Sequence, residues 1–166
     1  MCPVRWVYLT LNDVIELHAD AMRVSGDENQ GTNAAKLALL ESSLEHIQND
    51  EYYGTFAAKL THLLFSTCKT HAFVEGNKRA SLAVGARFLD DNGLPHRVQK
   101  FFRFMETVIV CVADNKISKE FLGEIVVAFL QEEEDDEGLS LRILEALEAV
   151  LRDQALRDAE NQPPEV

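Results

Sequence analysis

The chain has 166 residues, with 16 Lys and Arg against 28 Asp and Glu, a net charge of −12 and 46% hydrophobic residues. A single domain of this length buries a core without staples, and Cys2, Cys68 and Cys111 are odd in number and lack CxxC or CxH spacing, which excludes a disulfide framework and a structural zinc site. The acidity argues against a nucleic-acid partner, and no apolar run approaches the roughly 18 residues of a membrane span or gives Met1 to Thr10 a signal-peptide layout, so a cytoplasmic protein with no membrane partner is expected.

Val4 to Leu9 is the one stretch that reads as a short strand. Thr10-Leu-Asn-Asp13 is a capping box, after which Val14, Leu17, His18, Ala21 and Met22 recur at spacings of three and four, predicting a helix to about Val24. Ser25 to Thr32 has two glycines and no apolar residue and reads as an exposed loop. A second helix carries Leu37, Leu40, Leu44 and Ile47 and breaks at Asn49 to Gly54. Thr55 caps a third, whose Phe56, Leu60, Leu63, Leu64 and Thr67 are apolar on nearly all sides, as in a central helix.

Beyond residues 71 to 79, a helix through Leu82, Val84, Ala86, Phe88 and Leu89 stops at Asn92-Gly93, with Pro95 sealing its end. Two more follow, about Phe101 to Ala113 and Ser118 to Leu130, joined at Asp114-Asn115. Helical periodicity therefore dominates the chain. Residues 1–130 hold 13 basic and 16 acidic side chains, and residues 131–166 hold 3 and 12. Glu132 to Glu137 are six consecutive acids, expected to stay solvated, and Leu144, Leu147, Val150 and Leu151 mark a last amphipathic helix ending near Ala159. The division reads as a domain over 1–130, an acidic linker over 131–137, and an appended C-terminal helix and tail over 138–166. Cys68 and the Phe101, Phe102, Phe104 cluster read as core, and His18, His46, His62 and His96 have no ligand spacing to one another.

The chemistry is concentrated in His71-Ala-Phe-Val-Glu-Gly-Asn-Lys-Arg79. Gly76 and Asn77 stand where the chain enters a helix, whose free N–H groups and positive dipole end favour phosphate. Lys78 and Arg79 put two cations at a helix end that ordinarily prefers acids, a conflict that a bound anion resolves. Glu75 can hold a magnesium ion whose other ligands are phosphate oxygens and water. His71 titrates near neutrality and can take a proton from an attacking hydroxyl, while Phe73 points inward and pins the loop. Lys69, Lys78, Arg79 and Arg87 against Glu75 make residues 69–87 locally basic.

HAFVEGNKR resembles the His-x-Phe-x-acid-Gly-Asn-(Gly or Lys)-Arg signature of Fic/Doc (Fido) proteins, and its Lys form is similar to that of death-on-curing toxins. The likeness extends over Tyr8 to His18, Leu39 to Leu44, the YGTFAAKLTHLLF run, and Ala80 to Leu94. The resemblance implies an all-α Fido fold, here with an extra C-terminal helix, in which the motif joins two central helices. It implies transfer of part of ATP, with Mg²⁺, to a hydroxyl of a protein target: His71 as general base, Glu75 as metal ligand, Gly76, Asn77, Lys78 and Arg79 as nucleotide and phosphate contacts, and Phe73 as support. Members that transfer AMP have Gly where this chain has Lys78 and a second Arg where it has Leu82. Death-on-curing toxins share both changes and are similar to kinases in outcome, adding phosphate to elongation factor Tu. Phosphoryl transfer is therefore the favoured expectation, with AMP or other nucleotidyl transfer and a catalytically silent Fido binding module as alternatives.

The family's Gly-x-Arg-Asp stretch before LLES is replaced by Gly31-Thr-Asn-Ala-Ala-Lys36, so the target-docking edge is expected to differ. No Ser or Thr here has the Glu four residues on that self-inhibited Fic proteins use, so the resemblance implies restraint by a separate small antitoxin. Two further readings of the C-terminus stand beside each other. In one, the acidic run and the Leu144, Leu147, Leu151 face fold back over the basic site; in the other, the helix packs on the domain or on a sister chain, giving a homo-oligomer.

Overall fold

A computed structural model of the chain describes residues 5–27 and 31–161. Seven α-helices run in the described residues: α1 (Leu11–Val24), α2 (Ala34–His46), α3 (Phe56–Lys69), α4 (Asn77–Asp91), α5 (Val98–Ala113), α6 (Lys119–Gln131) and α7 (Glu137–Glu160), with one 3₁₀ turn at Pro95–Arg97. The fold is all-α. Local chemistry sets the boundaries. The Thr10–Asp13 capping box opens α1, and the side chains of Asn33, Thr55, Ser118 and Asp136 accept first-turn N–H groups of α2, α3, α6 and α7. The fifth helix begins three residues before Phe101 because the turn at Pro95–Arg97 runs directly into it.

The centre is the α3–α4 pair. α3 also packs on α2, α5 and α6, and α4 on α1 and α5. Contact is close enough that a Cβ on Gly85 would lie 2.6 Å from Leu64 Cδ2 and 2.7 Å from Phe101 Cζ, so only glycine lets α3, α4 and α5 meet there. Ser81 Oγ crosses the same seam, donating to the Leu64 carbonyl at 2.8 Å inside the core. Leu60, Leu63, Leu64, Val84, Phe88, Phe101, Met105 and Ile125 are all essentially solvent-free.

Four expectations need correction. The described part of the proposed strand, residues 5–9, is extended but joins no other strand: Val7 N–H donates to Asn92 Oδ1 (2.8 Å) and Val7 O accepts from Asn92 Nδ2 (2.9 Å), so a side-chain amide at the end of α4 takes the partner strand's place. Val4, like Cys2 and residues 162–166 of the tail, lies outside the described residues. The acidic run is not uniformly solvated, since Glu134 is only 4% exposed and ion-paired with Lys100, and Glu132 meets Arg97 at 2.6 Å. Two cations at the start of α5 clamp the run there, and Ala113, which borders the motif, is at the other end of that helix, about 22 Å away. The acids therefore do not cover the basic motif. α7 packs on the domain, as one of the two readings of the C-terminus has it: Leu139, Ala146 and Val150 join the core, and Lys116–Asp153 (2.6 Å) and Arg157–Asp114 (3.8 Å) fasten its later turns to the end of α5. Phe102, finally, is 41% exposed while Phe101 is buried, so the aromatic cluster is only in part core.

Candidate active site

The motif follows α3 directly. Thr70 closes that helix, its hydroxyl donating to the Ser66 carbonyl at 2.6 Å, and His71 then takes a left-handed backbone with φ 52° that turns the chain away. Ala72 and Phe73 go inward. Their backbone pairs with the segment before α2: Asn33 N–H donates to Ala72 O (2.9 Å) and Val74 N–H to Gly31 O (2.8 Å), forming an antiparallel bridge between Thr32 and Phe73. The described end of the loop after α1 is thus an edge of the site rather than a free excursion.

Three side chains lock the loop from beneath. The Phe73 ring stacks on His18 at 3.8 Å between centroids, nearly parallel, and both are buried. His18 Nε2 donates to the Glu75 carbonyl at 2.9 Å. Asn77 reaches back with both ends of its amide, Oδ1 accepting from Phe73 N–H (3.1 Å) and Nδ2 donating to Phe73 O (2.8 Å). Its side chain is therefore occupied by the loop, and the anion contact available from Asn77 is its backbone N–H.

Gly76 has φ 78°, and a Cβ there would fall 2.4 Å from Met22 Sδ and 3.0 Å from His18 Nε2. No side chain caps α4, so its first-turn N–H groups remain for a ligand. His71, Gly76, Asn77, Lys78 and Arg79 share one cavity of about 240 Å³, walled also by Cys68 and Ala113. Five of the seven predicted site residues are thereby brought together; Phe73 lies below, and the exposed Glu75 side chain is outside that wall. Arg79 is oriented by α1 and the loop after it, with Nη1 3.2 Å from Met22 Sδ and 3.4 Å from Asp27.

The basic patch shrinks in three dimensions. Lys69 donates to Ala113 O (3.0 Å) and Asn115 Oδ1 (2.7 Å), closing the cavity wall against the end of α5, and Arg87 pairs with Asp91 at 2.8 Å further along α4. Lys78 and Arg79 are left as the site's cations. Burial pushes the Cys68 thiol up to about 11 despite the nearby charges of Lys69 and Lys78, so it is protonated at neutral pH and no nucleophile. A larger cavity of about 890 Å³ between α6 and α7 is walled by Glu124, Glu132, Glu133, Asp135 and Asp136, which repel phosphate.

Magnesium fits what is present. It is commonly held by one or two carboxylates together with substrate phosphates and water, and a single exposed carboxylate at Glu75 beside the helix start suits that arrangement better than an all-protein cage. Among the described residues no group of three or more His, Cys, Asp or Glu is placed to hold a metal alone.

Sequence reasoning missed His18, Met22 and the Gly31–Asn33 edge. The available signal for the first two was their place on the inward face of α1, four residues apart and in register with Val14. Residues 8–89 match the model of the Fic/DOC family. No curated protein and no solved structure matches the chain.

Proposed function

The chain belongs to the Fic/DOC family, whose members are typically enzymes that move nucleotide-derived groups onto proteins, and on that premise we propose that it is a death-on-curing-like toxin that phosphorylates a hydroxyl of a translation factor, with elongation factor Tu as the first candidate. The observation that carries the reading is the shared cavity of His71 and the uncapped start of α4, which puts a proton acceptor beside an anion cradle. The target hydroxyl gives its proton to His71 as its oxygen bonds to the γ-phosphorus of ATP. The bond from that phosphorus to the bridging oxygen breaks, leaving ADP and a phosphorylated protein. N–H groups of residues 77–79 with the Lys78 and Arg79 side chains hold the phosphates in line, which is most of what phosphoryl transfer asks of a protein. Mg²⁺, held at Glu75, supplies neutralisation of phosphate charge when bound.

One feature favours phosphoryl over AMP transfer. Leu82, at the position of the second family Arg, lines an apolar cavity with Leu17, Ala21, Val24 and Phe102, so no second guanidinium extends the anion site. The catalytic unit is residues 1–130, joined through 131–137 to the C-terminal helix and tail of 138–166. An antitoxin is the expected restraint, and the exposed Leu141, Leu144 and Leu151 of α7 support pairing with a second copy. No helix among the described residues is long and apolar enough to cross a membrane, and a cytoplasmic site of action fits a translation-factor target.

The test uses ATP labelled separately at the α and γ positions, with purified elongation factor Tu. Label arriving on the protein from the γ position alone is expected. Label from the α position would replace the reading with nucleotidyl transfer, and growth inhibition unchanged in His71→Ala would favour a binding module.

A further inference from the structure

His18 is a polar side chain where packing alone asks for an apolar one. It stands on the inward face of α1 between Val14 and Met22, both fully buried, and is itself only 2% exposed. Its ring stacks on Phe73 with 8° between the planes, a contact that any flat hydrocarbon would make as well. What a hydrocarbon lacks is the N–H that meets the Glu75 carbonyl at 2.9 Å. A carbonyl only accepts, so the proton of this ring is on Nε2.

That bond orients one peptide plane. In a trans peptide the C=O and the following N–H point in opposite directions, so drawing the Glu75 oxygen toward α1 turns the Gly76 N–H away from it. The chain just before this plane is already fixed, because Asn77 holds the Phe73 backbone with both ends of its amide and Gly31 O accepts from Val74 N–H. A Cβ on Gly76 would likewise point at α1, toward Met22 and His18, which leaves the other side of the residue to the motif cavity, and no wall of that cavity belongs to α1. Among the described residues no hydrogen bond engages the Gly76 N–H. Gly76 in left-handed backbone followed by Asn77 in helical backbone is the arrangement that gathers successive N–H groups about an anion.

We propose that His18 is a positioning residue for phosphate binding: by holding the Glu75 carbonyl, it presents Gly76 N–H to the cavity as a fourth backbone donor beside those of Asn77, Lys78 and Arg79. This role rests on the anion cradle of the proposed function and adds to it a ligand contact at Gly76 that is set from the far side of the loop. The same bond steadies the backbone from which the exposed Glu75 carboxylate extends.

The test titrates the full chain, isotopically labelled for NMR, with inorganic pyrophosphate in magnesium-free buffer and follows the backbone amide shifts. This probe has no nucleoside, so the result is independent of which part of ATP is transferred. In the unmodified chain the Gly76 amide is expected to shift together with those of residues 77–79. His18→Gln and His18→Met separate the donor from the packing. The two side chains are nearly equal in length and both lack the stacking ring, but only glutamine offers an N–H to Glu75. The glutamine variant should bind pyrophosphate within about threefold of the unmodified chain and the methionine variant about tenfold more weakly, as expected for loss of a single hydrogen bond. In the methionine variant the Gly76 amide should no longer respond. A role in packing alone weakens both variants equally, and that result would overturn the proposal. Shifts at residues 77–79 without one at Gly76 in the unmodified chain would also overturn it, while leaving the proposed function standing; silence of all four amides would overturn both. Urea unfolding confirms that folded chains are being compared, and if both variants unfold, the Gly76 response of the unmodified chain decides.

Discussion

Substituting Gly76→Ala attacks the motif at its most crowded backbone position. A left-handed conformation costs an L residue about 1–2 kcal/mol, and Gly76 has φ 78°. The new methyl would also stand 2.4 Å from Met22 Sδ and 3.0 Å from His18 Nε2, and both side chains are buried, so neither can swing into solvent. Relieving such an overlap costs about 1–3 kcal/mol. If His18 is the group that yields, its bond to the Glu75 carbonyl is lost, a further loss of about 1 kcal/mol. The smaller entropy of the unfolded alanine chain adds about 0.4–1 kcal/mol of opposite sign. The expected destabilisation is about 2–5 kcal/mol, read by urea unfolding, and it lowers Tm by roughly 5–15 °C for a chain of this size. Gly93→Ala is the control, with φ 85° but nothing within 4 Å of a new Cβ, so it bears the conformational cost alone. Equal destabilisation by the two substitutions, within about 0.5 kcal/mol of each other, would refute the packing argument.

Asn77→Ala removes both amide bonds to the Phe73 backbone and should cost about 1–3 kcal/mol in unfolding, with faster amide exchange at Phe73 marking the loosened loop. His62 is held at about 4, against an ordinary value of 6.5, first by burial and then by the charges of Lys119 and His46. The unfolded chain therefore takes up this proton first as pH falls, so stability should decline by about 2 kcal/mol between the two values, and His62→Gln should flatten that part of the profile. Deleting residues 138–166 withdraws Leu139 and Val150 from the core, at about 1.5–3 kcal/mol each; an unchanged urea midpoint would show that α7 is dispensable.

Helix positions were legible where one residue decides an end. Thr10, Thr55 and Ser118 each accept the first-turn N–H that their side-chain chemistry offers, and Asn92 closes α4 ahead of a left-handed Gly93. The motif was legible as a list of chemically able side chains, and five of them do share a cavity. What stayed hidden depends on partners distant in the chain. Lys59 is fully buried because Asp50 and the Ile47 carbonyl receive its ammonium, each at 2.7 Å, and Asp50 together with Tyr8 holds it above the usual lysine range against the pull of burial. Glu134 is enclosed only because Lys100 lies across from it, and Asn77 works as a staple because the loop returns Phe73 to it. Local pattern carries no record of such meetings.

The left-handed turn at His71 bears on how an inactive form of the protein is best made. Asparagine is among the few residues other than glycine that settle readily at φ near 52°, so on the proposed mechanism His71→Asn would remove the proton acceptor while leaving the chain's direction out of α3 intact. A β-branched replacement would bend the loop as well as silence it. On the proposed function, a shape-preserving dead variant would be a capture reagent, able to dock on a target without releasing it as product.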